Sequence, residues 1–273
     1  MAYRDVQADA VTLLALRMLF ALPFFFLSAF FSFKADIQSR LTPRQLLLIA
    51  LTGCLGYYIS SLFDFLGLQY VSAGIERLIL FIYPTLVLLI SYFLFRQKIE
   101  ALQWLAVAIT YVGLVLAFVH EMHIQQSSRQ FMLGTAYILI CAFTYASYIV
   151  ASGRLIPQVG ASRFNSYAMM CACVAVLIHF FVTSETSLFK LETKAYVYGF
   201  LMAVISTVVP SYLVTEGIRR VGANNAAIVG SVGPVSTIIQ ANLLLGEPFT
   251  SVQAVGTLLI LVGVLLISLK KRN

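Results

Sequence analysis

Nine apolar runs, each about as long as a bilayer is thick, follow one another through this chain with only short loops between them. They lie at roughly 11–33, 46–69, 74–95, 101–119, 131–152, 163–182, 196–218, 224–245 and 251–269. Inside lipid no water is present to satisfy backbone N–H and C=O groups, so each run is predicted to be a helix. Composition agrees. Of the 273 residues 60% are hydrophobic and 11% charged, and the mean hydropathy is +0.92, whereas about a quarter of an ordinary soluble domain is charged. The fold class is therefore an all-α polytopic membrane protein. The longest loops, around 120–130 and 183–195, are polar but small, and no water-soluble domain is expected.

A formal net charge of +7 invites a nucleic-acid partner. The basic residues are scattered over short loops and make no patch or groove of the kind such contact needs, so no nucleic acid is expected. Their placement follows the positive-inside pattern instead. With the tail Lys270-Lys271-Arg272 on the cytoplasmic side, alternation puts twelve of the eighteen Lys and Arg residues inside and five outside, and leaves Arg17 within a span. This predicts a multi-pass protein of a bacterial inner (plasma) membrane with its C-terminus in the cytoplasm. Cys54, Cys141, Cys171 and Cys173 all lie in apolar runs without metal-ligand spacing, and buried reduced thiols are expected. Residues 1–10 contain no apolar core of a secretory signal.

The stretch 67–118 recurs as 217–268 at a constant offset of 150 without gaps. Gly67 falls on Gly217, Val71 on Val221, Ala73 on Ala223, Pro84 on Pro234, Gln103 on Gln253, and Val112-Gly113 on Val262-Gly263. Matched Gly and Pro weigh more than matched leucines, because they mark backbone geometry rather than bulk apolarity. The second half holds five spans and the first shows four; the counterpart of 131–152 falls just ahead of Met1. The expectation is a ten-helix architecture of two five-helix repeats with nine helices visible, the first repeat at 1–120 and the second at 121–273. Five is odd, so the repeats enter the membrane in opposite orientations. Inverted repeats are a transporter architecture: two similar halves exchange packings at nearly equal energy, and a central cavity between the repeats opens to alternate sides.

Three segments carry a family resemblance: ERLILFIYPTLVLLISYFLF at 76–95, VGANNAAIVGSVGPVSTIIQANLLLGEP at 221–248, and the closing apolar run at 256–266. They resemble the drug/metabolite transporter superfamily, EamA type. Leu245-Gly246-Glu247-Pro248 before the last helix is among its typical marks, and the first half has Phe95-Arg96-Gln97-Lys98 in that place. The resemblance covers the whole chain except for an absent first helix. It implies two inverted five-helix repeats and a permease that moves small organic metabolites, amino-acid-like or drug-like, in many members as an exporter. It hardly constrains the substrate.

Ionisable groups within spans are costly unless paired or hydrated, so each is a candidate site residue. Asp64 lies in SSLFDFLG, and Glu76 and Arg77 open the following run. Asp64 or Glu76 meeting Arg77 across that corner would make either a proton-titratable or substrate-amine-binding carboxylate, or an ion pair that closes a helix corner; Glu76 also suits a helix N-terminus. In the second half Glu216 stands three and four residues before Arg219 and Arg220, the spacing of a local pair. Asn224 and Asn225 follow, as helix caps or as donors to a substrate carboxylate. Pro84 and Pro234 each free a mid-membrane carbonyl, as hinge, cavity lining or packing kink. Tyr57, Tyr58, Tyr83, Tyr145 and Tyr212 either line a cavity or pack. Gln240 and Asn242 suit hydrogen bonds between helices. Arg17 either faces the cavity and binds an anion or pairs with a helix ahead of it. His179, near a helix end, reads as structural.

Catalytic patterns are lacking. His120-Glu121-Met122-His123 has the wrong spacing for a zinc protease motif and falls in an outer loop. No cofactor or metal is expected, and the chain does not read as an enzyme. Two functions remain: a secondary transporter with a small metabolite and protons as partners, surrounded by lipid and either monomeric or a homodimer; or a non-transporting membrane protein, including an inactive remnant without its first helix.

Overall fold

The computed structural model describes residues 10–35, 41–122, 129–184, 188, 191–230, 232–233, 235–236 and 250–268. Among these every regular element is helical. In chain order they are α1 (Ala10–Ala35), α2 (Pro43–Gly53), a π-helical segment π1 (Cys54–Ile59), α3 (Ser60–Gly67), α4 (Ala73–Leu80), α5 (Tyr83–Phe95), α6 (Ala101–Met122) and α7 (Arg129–Val159). Then come α8 (Ala161–Thr183), α9 (Thr193–Ala203), a second π segment π2 (Val204–Val208), α10 (Val209–Val221), α11 (Ala223–Val229) and α12 (Ser251–Ser268).

Six helical stretches are long and apolar enough to cross a membrane: Val11–Phe31, Pro43–Gly67, Gly74–Phe95, Arg129–Val159, Ala161–Thr183 and Thr193–Val221. Ala101–Leu116 and Ser251–Leu266 are shorter apolar helices. These eight correspond to eight of the nine expected spans. Half of the remaining one, 224–245, lies outside the described residues, as do Pro234, Gln240, Asn242, the stretch 245–248 and the basic tail. Large apolar side chains such as Phe26, Phe31, Phe93 and Val182 are exposed, as helices facing hydrocarbon require.

Three expected spans are interrupted. The run 46–69 contains π1, and the run 196–218 contains π2. The run 74–95 breaks into α4 and α5 at a two-residue turn. Pro84 explains the break: it has no N–H for the carbonyl of Leu80, and its ring clashes there. Instead of a kink the helix stops at Leu80 and restarts at Tyr83, with Pro84 in the first turn of α5, where the missing N–H costs nothing. In the second half α11 stops at Val229, in the same region of the repeat.

The chain forms two compact units, one of Met1–Leu66 with Ser147–Arg220, the other of Gly67–Ala146 with Val221–Asn273. Each unit therefore draws on both halves of the sequence. The offset of 150 carries α2 onto α9, π1 onto π2, α1 onto α8, α4 onto α11 and α6 onto α12, to within a few residues at the ends.

In the first unit α1 packs along α8, and their order is antiparallel: Ser28 meets Ser166 while the earlier Met18 meets the later Cys173. α2 and π1 lie on α8 just as their counterparts α9 and π2 lie on α1. The core joins Leu14, Met18 and Phe25 of α1 to Met169, Cys173 and Val176 of α8, with Ala203 at the end of α9. In the second unit α6 packs along α12, again antiparallel, with Gly113 against Gly256 and Ile260, and Gly263 against Ala106 and Thr110. α4 lies on α6 as α11 lies on α12. In both units, then, helices that are equivalent by sequence run in opposite directions against each other. That is the inverted repeat seen directly.

Two of the sequence identities gain a physical reason here. A Cβ on Gly113 would sit 2.6 Å from the Gly256 carbonyl oxygen, and one on Gly263 would sit 2.8 Å from the Ala106 carbonyl oxygen. Only glycine lets α6 and α12 approach this closely, the usual way helices associate in lipid. Gln103 and Gln253 both close helix starts: their side-chain oxygens accept the N–H of Glu100 at 3.2 Å and of Thr250 at 3.0 Å.

Candidate functional site

In the first unit the polar side chains gather just after the π segments. A π turn holds one residue more than an α turn and interrupts the i→i+4 ladder, and such turns are frequent at functional sites. After π1, Ser61 accepts a hydrogen bond from Arg17 Nη2 at 3.1 Å, and the guanidinium lies over the Phe65 ring, 5.1 Å from its centroid. Asp64 stands between Ser61 and Phe65 on the same helix, α3. Arg17 thus rests on α3 through both contacts. Within π1 itself, Tyr57 meets Tyr148 edge to face at 5.0 Å, and Tyr58 shares a 3.0 Å hydrogen bond with His179 Nδ1. His179 is thus tied to π1 across helices.

The equivalent region of the second half is neutral. Asn165 Nδ2 donates to Ser211 Oγ at 3.0 Å, and Ser166 bonds Tyr212 at 3.0 Å and Ser28 at 2.9 Å. Asn165, Ser166 and Ser211 are buried. Sequence reasoning passed over all three; the available signal was an Asn-Ser pair inside the apolar run that starts at 163. Farther along α10, Glu216 accepts from Arg219 at 2.7 and 2.5 Å and from Arg220 at 2.6 Å. All three side chains are substantially exposed. Glu216 is a surface clamp at the end of its helix.

In the second unit Glu76 and Arg77, neighbours on α4, make an ion pair within that one helix, 3.3 Å apart, with Glu76 2% exposed and Arg77 43%. Ser72 caps α4 by accepting from the Ile75 N–H at 3.3 Å. Tyr83 opens α5 beside the buried Pro84 and donates to the carbonyl of Ala227 at 2.9 Å. That carbonyl belongs to the last turn of α11, and the phenol gives it a side-chain donor from the other broken helix. Room for it exists because residue 230 is glycine: a Cβ there would sit 2.3 Å from the Tyr83 hydroxyl. Tyr83 also meets Tyr145 edge to face at 5.3 Å, and Thr85 bonds Tyr111. Asn225 accepts from Gln103 Nε2 at 2.9 Å. The residue that precedes α11 as its cap is Gly222, so the expected capping role of Asn224 and Asn225 is not filled. Both lie inside the first turn, and Asn224 Oδ1 is buried there without a hydrogen-bond partner among the described residues.

The structure thus groups Arg17, Asp64 and Tyr57 in one unit and Glu76, Arg77, Tyr83, Pro84, Asn224 and Asn225 in the other, with Glu216 at a helix end of the first. The side chains of 120–123 lie outside the described residues, as does Pro234.

The model of the EamA-like transporter family matches the chain twice, over residues 3–119 and 132–269. The chain belongs to that family. An uncharacterized transporter of Bacillus subtilis, YcbK, is 33% identical over 256 residues, which cover 92% of this chain and 80% of the relative. An uncharacterized inner membrane transporter of Salmonella typhimurium, YicL, is 27% identical over 239 residues, 87% of this chain and 77% of the relative. A solved protein crystal structure superposes with a TM-score of 0.78 at 14% identity, covering 96% of this chain and 89% of that one, and shares the fold. The EamA-like chain is accordingly a multi-pass membrane protein of a transporter family, and these names indicate a transporter rather than an enzyme.

Proposed function

We propose that this EamA-like protein is a secondary transporter of the bacterial inner membrane that exports small organic metabolites, amino-acid-like or drug-like, by alternating access. The observation that carries the reading is the antiparallel packing of repeat-equivalent helices, α1 on α8 and α6 on α12. A pseudo-symmetric pair of halves has two packings of similar energy, which alternating access requires. Broken helices in both halves, at Leu80 and at Val229, add support: interrupted membrane helices expose backbone groups that recognise substrate or coupling ions. The basic loops favour a cytoplasmic C-terminus. Coupling rests on exchange, on the substrate gradient or on protons, with Asp64 and Glu76 as the carboxylates for the last.

Everted membrane vesicles carrying the full chain test this with a panel of radiolabelled amino acids and cationic drugs. Uptake above vesicles without the protein, lowered at least several-fold by Asp64→Asn and by Arg77→Ala at equal membrane abundance, is the expected result. No uptake of any panel member, together with unchanged metabolite export from intact cells on deletion, would leave a non-transporting membrane protein.

A further inference from the structure

The repeat offset of 150 pairs every contact between the halves with a mirror contact. Under alternating access the halves exchange conformations, so a bond from one half to the other gives way to the bond between the equivalent residues. Where both bonds can form, the two packings weigh alike. Where only one can form, the packing that holds it is favoured.

Two such bonds reach α11 in the second unit. Gln103 Nε2 of α6 donates to Asn225 Oδ1 in its first turn at 2.9 Å, and Tyr83 of α5 donates to the Ala227 carbonyl in its last turn at 2.9 Å. Edge-to-face contacts with Phe81 at 6.2 Å and Tyr145 at 5.3 Å hold the Tyr83 ring in place for this. Neither bond has a mirror. Tyr83 falls on Gly233, which has no hydroxyl. Gly230, which leaves room for the phenol, falls on Leu80, whose side chain would fill that room. Asn225 falls on Ile75, whose side chain accepts nothing. Gln103 does fall on a glutamine, Gln253, and each spends its side-chain oxygen on the start of its own helix. The difference therefore lies in the acceptor. The mirror side lacks the donor of one bond, the space for it, and the acceptor of the other.

Both ties bind α11, which follows the basic pair Arg219-Arg220, to helices on either side of the loop with Arg96 and Lys98. That end is cytoplasmic in the proposed orientation. We propose that Tyr83 and Gln103 form a one-sided gate latch that holds α11 against α5 and α6 and releases each time the protein opens to the cytoplasm. The inference rests on the alternating-access reading and adds to it an unequal resting balance. A neutral hydrogen bond shifts a two-state equilibrium by about fivefold, so the pair favours the latched packing by about 25-fold.

The test reads conformation rather than transport. The full chain, with Cys54, Cys141, Cys171 and Cys173 replaced by alanine, carries nitroxides at Gln97→Cys after α5 and Ala223→Cys at the start of α11, and is placed in lipid nanodiscs. Double electron–electron resonance gives the distance between them. The expected result is one main distance in this parent chain and a second, longer one whose share relative to the first rises about fivefold in Tyr83→Phe and in Asn225→Ala, and about 25-fold in the double variant. Tyr83→Phe keeps the ring contacts, and Asn225→Ala keeps the Gln103 bond to the Glu100 N–H, so both variants should fold. A second distance already present in the parent and unchanged by either substitution overturns the latch and leaves alternating access standing. One unchanged distance in every chain, with only the unfolding midpoint lowered, makes the two bonds structural and also overturns it. Joined to no uptake in the vesicle assay, that last result removes alternating access as well.

Discussion

Gly113 and Gly263 occupy equivalent places on α6 and α12, yet their replacement by alanine should not cost the same. At Gly113 the new methyl would sit 2.6 Å from the Gly256 carbonyl oxygen and 2.8 Å from the Ile260 nitrogen, both backbone atoms that no rotamer can move. Reaching ordinary contact requires the helices to part by about 0.8 Å, an overpacking cost of roughly 2–3 kcal/mol. At Gly263 the nearest atom is the Thr110 hydroxyl at 2.3 Å, a side chain that can rotate, with the Ala106 carbonyl next at 2.8 Å. Here the helices part by about 0.6 Å and the threonine loses its bond to Ala106, together roughly 1–2 kcal/mol. Thermal unfolding in micelles, followed by intrinsic fluorescence, should place Gly113→Ala roughly 4–12 °C below the native chain and Gly263→Ala about half as far. Thr110→Ala, added to Gly263→Ala, should recover part of the loss, with a coupling of about 0.5 kcal/mol or more. Gly113→Ala unfolding with the native midpoint, or Gly263→Ala falling further without relief from Thr110→Ala, would refute this account of the α6–α12 contact.

Tyr83→Phe removes the donor to Ala227 and should destabilise by about 1–2 kcal/mol, while Gly230→Ala should be tolerated better in the Tyr83→Phe background than alone; paired unfolding curves check both. Arg96, the C-cap of α5, has φ 51°, the left-handed conformation that glycine holds without strain. Arg96→Gly should therefore raise stability by about 1 kcal/mol, read as a higher midpoint; the equivalent residue of the second half is already Gly246. Glu216→Ala, which frees two exposed arginines, should leave both unfolding midpoint and metabolite efflux unchanged, because exposed pairs contribute little.

The apolar runs announced an all-helical membrane protein, and the matched punctuation residues announced the repeat, because both signals are local in sequence. Gly113, Gly263, Gln103 and Gln253 were legible for the same reason: each marks a backbone requirement, a close approach or a helix start. The π segments were not legible. Cys54-Leu55-Gly56-Tyr57-Tyr58-Ile59 has the composition of any apolar turn, and the extra residue shows only in hydrogen-bond pairing. Pro84 signalled an irregularity but not its form, a full stop with a two-residue turn. Side-chain partners were least legible. Arg17–Ser61 and Asn165–Ser211 join helices more than forty residues apart in sequence, and which polar groups meet depends on the rotation of each helix, which hydropathy does not report. Grouping was hidden too, since helices of one half pack on their own counterparts and each compact unit mixes the halves.

The two wide turns have a consequence for how the chain tolerates length change. Losing one residue from an ordinary helix swings everything beyond it by about 100° around the axis. Within 54–59 or 204–208 the same loss converts the wide turn to a regular one, and the residues beyond keep their bearing. Ser61 would still look toward Arg17, and Ser211 toward Asn165. Among the described residues, these two short stretches are the places inside the membrane-spanning helices where a single-codon deletion spares the phase of all that follows.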